Sequence, residues 1–227
     1  MNNTSLVPVK PDPFIENWRT VLGTAPNHLK FVRILGGVGT VTNGSVLLRS
    51  AVPVEDGFYK LLGAGNCRML PVKDPQEAIL GTSSDMYGWN ASEPKFFPDI
   101  EQFNPHLEEL PAISYIIKDD VIAMMHLCQD IASDAHDLER KMICIGDRYM
   151  TSFSKPMHSE LTLSYNFSVP DGEELVLNAQ ELRMALTEGV RYDSIAVRLK
   201  RTRVSSVLIL GDCWKACSMV TCAQRRR

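Results

Sequence analysis

Between residues 160 and 169 apolar and polar positions alternate. Leu161, Leu163, Tyr165, Phe167 and Val169 interleave with Thr162, Ser164, Asn166 and Ser168. A period of two predicts a strand with one apolar face, with Leu163, Tyr165 and Phe167 inside. Pro170-Asp171-Gly172 turns the chain. Asn178 with Glu181 three residues on predicts a helix N-cap and capping box, with Leu177 and Leu182 as a hydrophobic staple. Gly189 is expected to close this short helix as its C′ residue. Ile195, Val197 and Leu199 then alternate with Ala196, Arg198 and Lys200, and residues 204–210 are again β-rich. The segment reads strand, turn, helix, strand, strand.

Upstream, Val121, Met124, Met125, Cys128, Ile131, Ala132, Ala135 and Leu138 recur at three and four. That stripe predicts one long helix, capped by Asp119 or Asp120 and running to about residue 141, followed by a strand near 142–145. Phe14, Trp18 and Leu22 suit a short helix, and residues 29–70 read as a small antiparallel sheet. Asn43-Gly44 between β-rich flanks predicts a type I′ hairpin. Residues 71–118 hold six prolines among Tyr87, Trp89, Phe96, Phe97 and Phe103, which suits an ordered but irregular segment. No internal repeat is visible. The expected fold class is α+β, mostly antiparallel sheet with one long helix and a C-terminal strand–helix–strand unit. Its expected divisions are an extended arm (1–13), a β-rich part (14–70), the irregular segment (71–118) and a C-terminal α+β part (119–227), forming one globular unit.

The chain has 227 residues, 44% hydrophobic and 22% charged, the balance of an ordinary globular protein. No run approaches the roughly 18–20 apolar residues of a membrane span. The first residues, MNNTSLVPVKPDPF, lack a charged n-region and an apolar h-region, so a cytoplasmic or nuclear protein without a signal peptide is expected. The cysteines at 67, 128 and 144 are accordingly read as reduced, buried thiols.

Candidate chemistry is sparse. Gly36-Gly37-Val38-Gly39 has the glycines of a phosphate loop, but a hairpin follows where a helix N-terminus is needed. His126, Asp130, Asp134 and Asp137 share one helix face, a metal-ligand spacing that a solvated face also produces. Cys213, Cys217 and Cys222 lack a fourth zinc ligand and fit an amphipathic terminal turn. Cys67 follows a glycine-rich stretch, yet nothing selects a histidine as its base. No catalytic residue, metal or cofactor is therefore assigned. Charge is more informative. From Arg198 onward eight basic residues face Asp212 alone, in a chain of net charge −3. Arg198, Lys200, Arg201, Arg203, Lys215, Arg225, Arg226 and Arg227 form the candidate polyanion-binding site.

Over residues 119–214 the order helix, strand, strand with Glu160-Leu161-Thr162, acidic turn, helix and closing strands resembles the matrix proteins of rhabdoviruses. The resemblance implies a viral matrix- or coat-like protein, with the virion as an alternative location. On this reading the chain is non-enzymatic and self-assembling, and its basic end meets RNA or an anionic membrane without sequence preference. The competing expectations are a hydrolase using Cys67 or His126 and Asp130, and an accessory module that binds a host or partner protein through residues 71–118.

Overall fold

The computed structural model describes residues 7–8, 13–62, 68–73, 107, 109–134, 141–152, 160–162, 169, 173–187, 189–201 and 206–226. The chain divides into two compact units, 1–104 and 105–227.

In the first unit, α1 (Pro13–Thr24) precedes β2 (Val32–Leu35), β3 (Val38–Thr42), β4 (Val46–Ala51), β5 (Gly57–Leu62) and β6 (Arg68–Val72), with the two-residue β1 (Val7–Pro8) at the edge. β2, β3 and β4 form a meander, and β5 returns antiparallel beside β2, with β6 and then β1 outside it. Trp18, buried on α1, lies against β3, where a Cβ on Gly39 would overlap the Cη2 edge of the indole ring. Glycine at 39 therefore sets how closely helix and strand approach. The β3–β4 hairpin forms as expected, but its turn differs. Gly44 has φ +99° while Asn43 keeps negative φ, and the Asn43 carboxamide oxygen accepts from the Ser45 and Val46 amides. The two-residue turn with both φ positive is Gly36-Gly37, between Leu35 and Val38.

The second unit holds β7 (Ser114–Ile117), α2 (Lys118–Asp134), β8 (Met142–Gly146), β9 (Tyr149–Ser152) and β10 (Glu160–Thr162). It continues with β11 (Glu173–Asn178), α3 (Ala179–Leu186), β12 (Ser194–Arg201), β13 (Ser206–Cys213) and β14 (Ala216–Arg226). The order strand, helix, three-strand meander thus occurs twice. The first strands are exchanged, since β7 pairs with β12 of the second copy and β11 with β8 of the first. With β14 beside β11, all strands are antiparallel in the order β7-β12-β13-β14-β11-β8-β9-β10. α2 packs on β7 and β10, α3 packs on β11 and β14, and the two helices pack on each other. The first unit follows the same course from α1 to β5.

The fold is therefore not an α+β domain built on one long helix and a C-terminal strand–helix–strand unit. It is mostly antiparallel sheet, and α2 is one of two helices in equivalent places of a doubled element. The stripe of Val121, Met124, Cys128 and Ile131 is buried, as its period requires. That period reports a buried face and is silent on its partner. The cap of α3 forms as read: Asn178 Oδ1 accepts from the Gln180 and Glu181 amides at 2.9 and 3.2 Å, and Leu177 and Leu182 are buried. Gly189 instead opens a 3-10 turn (Gly189–Arg191), where a Cβ would come 2.8 Å from Ile195 Cδ1. Leu163, Tyr165, Phe167 and residues 135–140 lie outside the described residues.

Candidate functional site

The basic residues gathered at the C-terminal end of the sequence do not form one cluster. Arg198, half-buried on β12, donates from Nε to the Leu110 carbonyl at 3.1 Å and from Nη1 to the Gly211 carbonyl at 2.6 Å. Gly211 sits where the β13–β14 register shifts, with φ +129°, so its carbonyl has left the ladder and needs another donor. Arg198 is thus a fastening of the sheet and not a free cation. Arg201 is exposed at the far end of β12 and pairs with Glu173 at 2.7 Å. Arg225 and Arg226 lie opposite Glu174 and Glu173 in the β11–β14 register.

Lys200, Arg201, Arg225 and Arg226 therefore share one end of the sheet, with Glu173 and Glu174 among them. Lys215 occupies the β13–β14 turn at the opposite end, just beyond Cys213, which ends β13 six residues on from Val207, the partner of Lys200, or roughly 20 Å at strand rise. Arg203 and Arg227 lie outside the described residues.

Sequence reading missed β11 altogether, and with it the anionic half of this end. Glu173-Glu174 looks like a turn or helix start, but both belong to a strand. Glu174 is buried and accepts from the Tyr149 hydroxyl and, at 3.5 Å, from the Cys144 thiol. Register explains the reach: Glu174 lies next to Gly146, which pairs with Tyr149. A Cβ on Gly146 would overlap the Tyr149 ring, so the missing side chain lets the phenol cross to β11.

The other candidates resolve individually. The Gly36 and Gly37 amides form an anion-binding turn, already filled by the Asp56 carboxylate at 2.9 and 3.3 Å. His126 and Asp130 are exposed on α2, and among the described residues no group of three His, Cys, Asp or Glu could hold a metal. Asp137 and Cys67 lie outside the described residues. Cys213, Cys217 and Cys222 do not form a terminal turn: β14 continues to Arg226. Cys217 and Cys222 are both buried, and five residues apart on one strand they face opposite sides. Burial pushes the Cys128 and Cys222 thiols up to about 12.

The exposed charges on the helices of the second unit and the bend that follows them are mixed, with Asp119, Asp130 and Asp193 against Lys118, Arg183 and Arg191. Among the described residues β7 pairs only with β12, and its Tyr115 and Ile117 are exposed, Tyr115 at 52%. Such an edge offers unpaired backbone groups and apolar side chains to another strand. No helix of the described residues is long and apolar enough to cross a membrane.

No family model matches the sequence, and no curated protein matches it. Solved structures do. The DNA polymerase sliding clamp from Bacillus subtilis aligns over 100% of this chain and 66% of its own, with TM-score 0.55 and 9% identity. DNA polymerase III subunit beta from Borrelia burgdorferi, in complex with a natural product, aligns over 97% and 63%, with TM-score 0.54 and 11% identity. The Helicobacter pylori beta clamp bound to a DNA ligase peptide aligns over 98% and 66%, with TM-score 0.52 and 10% identity.

The chain has the sliding-clamp fold. It spans about two thirds of the length of these clamps. This overturns the matrix- or coat-like reading, and with it the viral, RNA-binding and membrane-bound expectations. That resemblance rested on the order of elements around Glu160-Leu161-Thr162. These residues form the edge strand β10, and β11 stands between them and α3.

Proposed function

We propose that this protein is a non-enzymatic, clamp-like DNA-associated protein that works as an assembly of its own copies. The observation that carries the reading is the fold likeness to DNA polymerase sliding clamps over nearly the whole chain. Two local features support it. The open edge of β7, with Tyr115 and Ile117 exposed, suits pairing with a strand of a second copy. The end of the sheet that carries Lys200, Arg201, Arg225 and Arg226 supplies cations for duplex phosphates, with Glu173 holding Arg201 until a phosphate replaces it. Contacts of this kind position a duplex without reading its sequence.

The test is duplex binding against salt. Each phosphate contact contributes a slope of about −0.9 in log affinity against log salt. Replacing Lys200, Arg225 and Arg226 by alanine should flatten that slope, and replacing Lys215 should leave it unchanged. A duplex affinity insensitive to salt and to these substitutions would remove the basic end from the account.

A further inference from the structure

We propose that the sheet of the first unit, on its face turned away from α1, binds single-stranded DNA. The proposal stands apart from the duplex reading and concerns a different unit. In β2 to β6 the only charged residues are Arg33, Arg49, Lys60 and Arg68, all cations. Register brings them onto one line. Arg33 pairs with Thr40 and Thr40 with Arg49, so these share a row across β2, β3 and β4. Arg33 also pairs with Phe58, and Lys60 is two residues further along β5. Lys60 pairs with Leu70, and Arg68 is two residues further along β6, opposite Leu62. Successive cations on this diagonal stand roughly 8–10 Å apart at ordinary strand spacing and rise. Gly39, the neighbour of Thr40, faces Trp18 on α1, so the row of Arg33, Thr40 and Arg49 is on the other face.

Arg33, Phe58 and Lys60 are half-buried, and Arg49, on the same face, is buried and adds its field. Lys60 lies over the Phe31 ring, 5.9 Å from its centroid. Aromatic rings therefore stand within the cationic line. None of the five strands holds a carboxylate. Asp56, just ahead of β5, is held by the Gly36 and Gly37 amides at the end away from Lys60. A line of cations follows a phosphate backbone, and a ring between them takes a base. A duplex keeps its bases stacked inside, so Phe58 selects a single strand. Charge alone would also suit an acidic protein segment; the rings favour a nucleic acid.

The test uses the full chain and fluorescein-labelled probes read by anisotropy: an oligothymidylate of about twelve nucleotides, an abasic strand of the same length, and poly-glutamate. The oligothymidylate should bind about fivefold or more tightly than the abasic strand. This comparison on the parent protein needs no variant, so it stands even where a substitution unfolds the chain. Each phosphate contact on a single strand contributes about −0.7 to the slope of log affinity against log salt, so Arg33→Gln with Lys60→Gln should flatten the slope by about 1.4. Phe58→Leu should remove the preference for oligothymidylate and leave the slope unchanged. Alanine at Lys200, Arg225 and Arg226 should leave oligothymidylate binding at the parent value, which separates this face from the basic end of the second unit. Equal affinity for oligothymidylate and the abasic strand, a slope indifferent to Arg33 and Lys60, or loss of binding in the Lys200, Arg225 and Arg226 variant would overturn the proposal. Tighter binding of poly-glutamate than of oligothymidylate would assign the face to an acidic protein segment instead.

Discussion

Replacing Arg198 by alanine separates a structural cation from a binding one. The guanidinium bonds two carbonyls from different parts of the second unit: Gly211 at the β13 irregularity, and Leu110 ahead of β7. Hydrogen bonds from a charged donor are worth about 1.5–3 kcal/mol each. Arg198 is half-buried and water can replace part of what is lost, so the pair together should cost about 2–3 kcal/mol. Lysine should rescue little, since one ammonium cannot reproduce the two-pronged geometry. In urea unfolding, the midpoint of the second unit should fall with its slope unchanged, the mark of a stability effect alone. Duplex affinity, measured where the variant is folded, should stay at the parent value. A variant as stable as the parent but weakened in DNA binding would refute this, and would return Arg198 to the polyanion site.

Other consequences can be checked directly. Gly39→Ala should destabilise the first unit by about 1–3 kcal/mol through overpacking against Trp18, and change the near-ultraviolet signal of that indole. Asn178→Ala should cost about 1 kcal/mol by leaving the Gln180 and Glu181 amides uncapped, read as a lowered urea midpoint. In native protein a thiol reagent should modify Cys213 rapidly while Cys128 and Cys222 stay protected; rapid labelling of Cys128 would count against its place on the buried face of α2. Because burial raises the Cys128 and Cys222 thiols from 9.0 to about 12, their contribution to stability is complete below pH 9. It is lost as pH rises from 9 towards 12, and the melting temperature should follow.

The local elements with strong periodicity or explicit caps were legible in the sequence. The buried face of α2, the Asn178 cap and the β3–β4 hairpin each follow from a few neighbouring residues. What could not be read is long-range. The doubled strand–helix–meander element leaves no repeat because its copies share topology and not side chains, and the exchange of β7 and β11 between them is a matter of pairing. β11 was hidden because Glu173-Glu174 resembles a turn, although one carboxylate is a buried acceptor and the other an ion-pair partner. The basic end was misjudged for the same reason: residues close in sequence, such as Arg198 and Arg201, point to different partners, and Lys215 is carried to the other end of the sheet by the hairpin.

The proposal to be tested is that this protein is clamp-like, an assembly of its own copies that closes around a duplex. The direct measurement is retention on DNA circles before and after linearisation. Protein diluted until it dissociates is mixed with a nicked plasmid, concentrated at low salt so that copies reassemble on the DNA, and passed through a sizing column at raised salt. The account predicts that protein stays with the circle, and that a single restriction cut releases it while the affinity for short duplexes is unchanged. Equal retention on circular and linear DNA, or loss from both as salt rises, would contradict it.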